Sequence, residues 1–473
     1  MLKKLRIKNF KCWKDTGEMT MAPLTVFFGT NSSGKSSIGQ FLMLLKQTAN
    51  FLDRKTVLHF GDGKSAGEFG SYEDMVYAHE SNHGLQFEYE WECTGPLEFE
   101  NPDSKQQYQF DVMHFDAEIG LLRGAKTKQS PYVKKFCYRL SNSEDNAQSL
   151  QVDMRATGES NAKYKLEADG YDLKRIHGRP WPIGAPVHFF AFPDMVSRRY
   201  QNADFLADLS LQHRELFASM SYLGPLREKA QRIYSWSGFE PESVGYLGEH
   251  TIPAMLAAQE RLINLRHRQH RQEFNKIIVA ELQKMGLVKK IEVMPLSTKR
   301  QREYEVKVAT AYSKDRDNLW GDSLLDVGVG VAQVLPVLVQ CFYAPPGSII
   351  IMEQPEIHLH PSAQSALADV MIDAILSRED GFDRNIQLII ETHSEHFLRR
   401  LQLRIAEQNE ITEKEVEAYS VKPVGGRAHL DSLKIDEYGN IQNWPEDFFG
   451  DEIGDVVKIA EAKRNRRRAQ MSG

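Results

Sequence analysis

One segment, Gly-Thr-Asn-Ser-Ser-Gly-Lys-Ser at residues 29–36, constrains the fold more than any other feature of the chain. It follows the continuous apolar run Leu24–Phe28, which is typical of a buried strand. It precedes Ser37–Ala49, where apolar residues recur at helical spacing. A glycine-rich turn between a strand and a helix points backbone amides and the positive helix end at one anion. The segment therefore predicts a phosphate-binding loop; the alternative is a glycine-rich turn without a ligand.

The residue types in this loop suit a phosphate and its metal ion. Lys35 is expected to be an exposed charge that reaches the outer phosphates, and the Ser36 hydroxyl is suited to ligate magnesium. The other predicted nucleotide contacts are Gly29, Asn31, Ser32, Ser33, Gly34 and Ser37.

The remainder of the chain alternates between two patterns. Short alternating runs between Phe87 and Phe192 indicate antiparallel strands. The last third alternates apolar strands with helical segments, which indicates a parallel sheet covered on both faces. The predicted elements there are the strands Ile349–Met352 and Leu388–Ile390 and the helices Ser362–Leu376 and Glu395–Glu407.

Polar residues follow both of these late strands. Glu353 ends the first strand, where an acid can stand beside magnesium, and Gln354 and Glu356 come next. His393 follows the neighbouring strand, where it can sense the terminal phosphate of a nucleotide. A lone histidine is more often structural, so this role depends on the order of the motifs.

Together these segments resemble the nucleotide-binding heads of ABC-type ATPases, in the branch of chromosome-maintenance, recombination (RecF) and overcoming-lysogenization-defect (OLD) ATPases. Residues 29–36, 326–333, 349–361 and 391–394 look like the Walker A, signature, Walker B with D-loop, and switch-histidine segments of that family. The opening Leu5–Trp13 is similar to the first strand of those heads rather than to that of transporters. The resemblance implies ATP and Mg²⁺ as cofactors, with Ser36 and Glu353 as the metal ligands.

The resemblance also implies a dimer. Gly328, Gly330 and Gln333 would form the signature loop, which contacts the nucleotide held by the opposite subunit, so that ATP lies between two head-to-tail copies. A glycine-rich loop that opens a helix at Val331–Phe342 offers amides to a phosphate. The alternative is a small-residue turn that caps a core helix.

These features predict an α/β fold with the architecture of an ABC-ATPase head. We expect a mixed or parallel sheet with flanking helices, an antiparallel β-rich insertion and a helical signature lobe. The predicted parts are the N-terminal head (1–90), the insertion (91–250), the signature lobe (251–345) and the C-terminal head with its extension (346–473).

Gln354 departs from the family pattern, because related heads carry a glutamate there that polarises the attacking water. An amide cannot act as a base. Glu356 could replace it, or hydrolysis could be slow. Glu353, Gln354, Glu356 and His393 are the predicted catalytic residues.

Two further features are weaker. No glutamine occupies a convincing lid position, and Ser71, Glu73 and Asp74 are weak candidates for that role. His358 and His360 lack the helical spacing of a zinc motif, which favours a structural or dimer-loop role over metal binding.

A narrower resemblance bears on biological role. Tyr222–Arg227, Glu353–Pro361 and Trp444–Phe449 look like a bacterial group of predicted ATPases, many of them encoded in anti-phage defence islands. The first hypothesis is a homodimeric or larger switch that controls a nuclease or toxin. The second is a repair ATPase that clamps DNA through Arg266–Arg271 and the terminal arginines, while a transporter motor is least favoured.

Composition limits the partners and the location. The net charge of −6 argues against a wholly basic nucleic-acid coat but leaves room for a local basic patch. The four cysteines have no paired spacing, and no apolar stretch approaches the roughly 20 residues of a membrane helix. We therefore expect a cytoplasmic protein with no membrane partner.

Overall fold

The structure is a computed structural model that describes most of the chain. The described residues are 1–63, 65–80, 82–124, 127–143, 148–158, 163–177, 182–266, 270–297, 302–310, 321–408, 411–445, 458 and 461–463. All predicted site residues lie within these ranges. Parts of three predicted segments lie outside them: residues 267–269 of the basic cluster, 446–449 of the late aromatic box and 464–468 of the terminal basic run.

Strands dominate the described part of the chain. They are β1 Leu2–Phe10, β2 Trp13–Asp15, β3 Met19–Thr20, β4 Leu24–Gly29, β5 Leu85–Glu100, β6 Gln107–Gly124, β7 Thr127–Ser141, β8 Leu150–Ala156, β9 Tyr164–Asp169, β10 Met220–Leu223, β11 Tyr234–Ser235, β12 Leu262–Asn264, β13 Gln272–Glu273, β14 Lys290–Pro295, β15 Glu303–Ala309, β16 Asp322–Ser323, β17 Ile349–Glu353, β18 Arg378–Glu379, β19 Phe382–Asp383, β20 Gln387–Thr392, β21 Val416–Val424 and β22 Arg427–Ser432.

The helices include the four that helical spacing predicts, at residues 37–49, 331–342, 362–376 and 395–407. They are α1 Lys35–Ala49, α2 Tyr72–Met75, α3 Met195–Arg199, α4 Phe205–Ala218, α5 Thr251–Ala257, α6 Phe274–Lys284, α7 Val329–Tyr343, α8 Pro361–Ile375 and α9 Glu395–Glu407, with short 3-10 turns at Tyr77–His79 and Glu413–Glu415. Local chemistry fixes the helix starts. Ser394, for example, caps α9 by accepting a hydrogen bond from the Phe397 amide at 3.0 Å.

The sheet that carries the predicted phosphate loop has the strand order β10-β17-β20-β4-β21-β22. Its strands run parallel except for β22. Every residue of β17 and β20 is buried, which explains their continuous apolar runs. Because β20 lies between β17 and β4, the carboxyl ends of these three strands meet at one edge of the sheet.

Helices and a second sheet cover the two faces of this parallel sheet. Ile349 and Ile351 of β17 pack into the core shared with α1 and the antiparallel sheet. Ile350 and Met352, the alternate residues, pack into the core shared with α5 to α9. The predicted fold class, α/β with a mixed sheet, flanking helices and an antiparallel β-rich part, is confirmed.

The antiparallel sheet has the order β2-β1-β5-β6-β7-β8-β9, with β3 beside β1. The domain division stays a prediction, and strand pairing links two of its parts to their neighbours. The boundary between residues 90 and 91 falls inside β5, and β5 pairs with β1 from the predicted N-terminal head. Likewise β10, predicted within the insertion, pairs with β17 in the parallel sheet. The signature lobe also contains strands β12 to β16. Alternation marks a strand but does not say which strand lies beside it.

Within the described ranges, none of the helices combines the length and the apolar character that crossing a membrane requires.

Candidate nucleotide-binding site

The glycines of the loop at residues 29–36 are required by close packing. Gly29 has a φ of 150°, and a Cβ there would lie 2.1 Å from the carbonyl oxygen of Val421. Gly34 has a φ of 107°, and its Cβ would lie 2.5 Å from Cys12 Sγ. Both backbone conformations favour glycine. The first turn of α1 has neither a side-chain cap nor an acidic residue, so its amides can receive an anion.

Lys35 is buried, which corrects the expectation of an exposed charge. Only 3% of the residue is exposed. Its Nζ donates to the carbonyl oxygens of Gly29 and Thr30, at 3.0 and 2.8 Å. Burial lowers the pKa of Lys35, and nearby Glu391, Glu356 and Glu353 oppose that shift. Phosphate oxygens would therefore compete with the loop carbonyls for this ammonium.

The serines of the loop face different ways. The hydroxyl of Ser37 accepts a hydrogen bond from the Trp13 indole at 2.8 Å, inside the core, so its predicted nucleotide contact gains no support. Ser33 is buried, with its Oγ 3.5 Å from Lys35 Nζ. Asn31 and Ser32 are exposed at the tip of the loop.

Two acids lie at the carboxyl ends of adjacent strands: Glu353 is the last residue of β17, and Glu391 is the last but one of β20. They are register partners on these adjacent parallel strands. Glu353 accepts a hydrogen bond from the Tyr222 hydroxyl, and burial raises its pKa. Glu391 Oε1 lies 3.9 Å from Lys35 Nζ, and burial raises the pKa of this carboxyl to about 7. The sequence prediction missed Glu391, whose signal was an acid directly after the apolar run Leu388–Ile390.

The residues after β17 meet those after β20. Gln354 Nε2 lies 3.3 Å from His393 Nε2, and Gln354 has a φ of 44°. Glu356 Oε1 accepts a hydrogen bond from the His393 amide at 2.8 Å. Burial raises the pKa of Glu356 and lowers that of His393. The structure thus brings the predicted catalytic residues together.

Two residues of the segment Tyr222–Arg227 hold this region in place. Tyr222 reaches the Glu353 carboxylate, as above. Arg227 donates to the backbone oxygens of Glu353, at 2.9 Å, and of Gln354, at 3.0 Å. Burial lowers the pKa of Arg227 to about 10. The sequence singled out this segment only as a family resemblance and gave its side chains no role.

The predicted signature residues lie at the start of α7. Gly328 precedes the helix and has no side-chain cap, so the first amides of α7 are not capped by a side chain. A Cβ on Gly330 would lie 3.2 Å from the carbonyl oxygen of His358, which places this loop beside the segment that follows β17. Gln333 is half-buried one turn into the helix.

The weaker candidates have local structural partners. Ser71 and Asp74 cap α2 reciprocally, and His360 caps α8 through Ser362. His358 has a φ of 63° in the preceding turn. Across the described ranges, no group of three or more His, Cys, Asp and Glu side chains is arranged to hold a metal ion.

A glycine-rich loop with this lysine and serine, set between a buried strand and a helix, is typical of P-loop nucleotide-binding proteins. Comparison with known families agrees. Residues 1–167 match the family "AAA ATPase domain", and residues 199–399 match "AAA domain, putative AbiEii toxin, Type IV TA system". Residues 411–459 match "Protein of unknown function (DUF3696)". These two AAA ATPase matches support ATPase activity of the AAA type.

Several solved structures are similar to this chain. One is the SmcHead bound to the C-winged helix domain of ScpA, at 11% identity, 92% coverage of this chain, 98% of that chain and a TM-score of 0.41. The SMC head domain from Thermotoga maritima shows 12% identity, 92% and 99% coverage and a TM-score of 0.37. The Smc head domain with an extended coiled coil, bound to the C-terminal domain of ScpA derived from Pyrococcus furiosus, shows 10% identity, 98% and 99% coverage and a TM-score of 0.39. A search of curated proteins found no match.

Proposed function

We propose that this chain is an ATP-driven switch whose copies close in pairs around ATP and thereby control a partner effector, a nuclease or toxin, in anti-phage defence. The main support for the dimer is the structure at the start of α7. Its helix end lacks a side-chain cap, and Leu325 and Val329 beside it are 44% and 61% exposed. Uncapped amides and exposed apolar side chains suit a surface that meets the nucleotide of a second copy.

Gly328→Arg tests the dimer. Among the described residues, apart from Gly328 and its two chain neighbours, no atom lies within 4 Å of a Cβ on Gly328, so an arginine fits the single copy but obstructs an approaching one. We expect this variant to bind ATP and to stay monomeric in analytical ultracentrifugation. Gly95→Arg is the matched control, because Gly95 is also exposed with open space around its Cβ. Parental ATP-dependent dimerisation by Gly328→Arg would reject the signature assignment.

The proposal that the effector is a nuclease or toxin comes from the first hypothesis of the sequence analysis. The toxin–antitoxin description of the family matched at residues 199–399 supports this choice of effector. The test is purification of complexes from cells that express the native operon, followed by mass spectrometry. A small nuclease or toxin that co-purifies in an ATP-dependent manner supports the switch. Recovery of the ATPase without any protein partner, with and without ATP, would count against it.

A DNA clamp is the alternative. It draws less support because Arg266 and Arg271, the described ends of the basic cluster, form ion pairs with Asp373 and Asp380. Duplex-DNA affinity measured over a salt series with and without ATP separates the two functions. ATP-dependent binding that weakens steeply with salt would favour the clamp.

A further inference from the structure

A buried glutamine interrupts the apolar sequence of α7. Gln340 is 1% exposed, and its neighbours in the helix are apolar from Val334 to Phe342. Burying an amide among apolar side chains is costly unless its polar atoms are hydrogen-bonded. Here Nε2 donates to Ser221 Oγ and Oε1 accepts from the Val244 amide, each at 2.9 Å. The Gln340 side chain therefore ties α7 to two other segments of the chain.

The first of these segments is β10, which leads to the acid at the end of β17. Ser221 and Tyr222 are consecutive residues of this strand, so their side chains lie on opposite faces. On one face, Ser221 contacts Gln340 of α7. On the other face, Tyr222 packs into the core shared with α1, and its hydroxyl donates to the carboxylate of Glu353. The strand β10 thus connects α7 to the carboxylate to which the family resemblance assigns magnesium.

The second segment leads to the same tyrosine. Val244 is two residues before Tyr246, whose ring stacks on that of Tyr222 with centroids 5.4 Å apart and planes inclined by 18°. The carbonyl oxygen of Tyr246 also accepts a hydrogen bond at 2.9 Å from the amide of Gly224, the residue directly after β10. Both hydrogen bonds of the Gln340 side chain therefore lead to groups that hold Tyr222.

We propose that Gln340 is a positioning residue: by holding β10 and the segment 244–246, it fixes the Tyr222 hydroxyl that orients the carboxylate of Glu353. This inference rests on the proposed ATP site, and Glu353 keeps the magnesium role that the resemblance gives it. The helix whose first turn is proposed to meet the second copy is thereby connected to the acid of its own site.

Gln340→Met removes both hydrogen bonds but keeps most of the side-chain volume. Tyr222 should then shift and Glu353 should lose its fixed orientation. The gain in ATP affinity that Mg²⁺ provides should fall by about 10-fold, as commonly follows when a group that orients a metal ligand is removed. Affinity for ATP in EDTA should stay within about 2-fold of that of the parent chain, because the phosphate loop keeps its own contacts with the nucleotide.

A double-mutant cycle with Tyr222→Phe separates positioning from a general loss of stability. A fluorescent ATP analogue is titrated into the parent chain, each single variant and the double variant, once with EDTA and once with saturating Mg²⁺. Once the Tyr222 hydroxyl is absent, Gln340→Met should lower the magnesium gain by less than a further factor of about 2. Cys341→Ala is the matched control and should keep the parental gain, because Cys341 is the next residue of α7 and is fully buried against Met371.

A parental magnesium gain in Gln340→Met would overturn the inference. So would a loss of the same factor with and without the Tyr222 hydroxyl, or equal weakening of ATP binding in EDTA and in Mg²⁺. Ser221→Ala keeps the test decisive if Gln340→Met does not fold. It breaks only the contact with β10, so it should lower the gain by a smaller factor, and a parental gain there would also overturn the inference.

The parent chain itself separates two kinds of failure. If it binds ATP without any magnesium gain, Glu353 lacks the role that Gln340 is proposed to support, and the inference alone is overturned. If it binds no ATP in either condition, the proposed function is refuted, together with the site on which the inference rests.

Discussion

The side-chain amide of Gln354 lies 3.3 Å from Nε2 of His393, across the ends of two adjacent parallel strands. Glu356 joins this pair by accepting a hydrogen bond from the His393 amide. An amide can orient a water but cannot take its proton, whereas a carboxylate can do so. Glu356 is therefore the acid of this group that can act as a base, and one of its oxygens has no hydrogen-bond partner among the described residues.

Replacing Glu356 with Gln should preserve ATP binding, trap the closed dimer and lower turnover by about 100-fold or more, because a general base is lost. Gln354→Glu should raise turnover or leave it unchanged, since it restores the acid that related heads carry. Steady-state phosphate release by the two variants and the parent chain is the measurement. If Glu356→Gln keeps the parental rate while Gln354→Ala loses it, a glutamine-oriented water is the better mechanism.

Lys35→Met should weaken ATP binding by about 10-fold to 100-fold, because charge-assisted hydrogen bonds to phosphate are lost. Methionine fills much of the space of the buried lysine stem and removes a buried charge, so the fold should persist. Nucleotide titration measures the affinity, and circular dichroism with a thermal melt checks the fold. Parental affinity in a folded variant would contradict the phosphate-loop assignment.

Arg227→Lys should lower kcat by about 10-fold to 100-fold with little change in ATP affinity. Lysine keeps the charge but not the fork that spans the backbone oxygens of Glu353 and Gln354, so the catalytic turn loosens. Tyr222→Phe, which frees the Glu353 carboxylate, should act in the same direction. Affinity and turnover are measured separately. A fall in ATP affinity at unchanged kcat would assign Arg227 to nucleotide binding rather than positioning.

His213 should make stability depend on pH. It is fully buried between the hydroxyls of Tyr89 and Tyr138, at 2.5 and 2.6 Å, and burial holds its pKa well below the ordinary value. The unfolded chain therefore takes up this proton first. Stability from this residue is complete above about pH 6.5 and falls below it, by up to about 1.4 kcal/mol per pH unit.

Urea unfolding of the parent chain and His213→Gln, above and below that pH, tests this expectation. The parent should lose more free energy of unfolding on acidification than the variant does. His83→Gln is the control, because the side chain of His83 is 76% exposed. An equal loss in the parent and in His213→Gln would show that other groups control the acid response.

The sequence by itself determined the elements that carry the site. The apolar run of β4, the glycine loop and the helical spacing of α1 predict strand, turn and helix because each pattern is local. The same holds for Glu353, the last residue of β17, and for His393, the first residue after β20, because an apolar run locates each strand. Backbone geometry explains why the glycines at 29 and 34 are necessary, since a Cβ at either position meets atoms from another segment.

Only the tertiary structure decided which of these residues act together. Tyr222 and Glu353 are 131 positions apart, and they meet because β10 pairs with β17, a neighbour that no alternating pattern specifies. Glu391 reaches Lys35 because β20 lies between β17 and β4. Lys35 itself is buried, because its ammonium folds back onto the loop carbonyls. Hydrophobic periodicity records whether a side chain faces a core, whereas its partner depends on strand order, which is set by packing over the whole sheet.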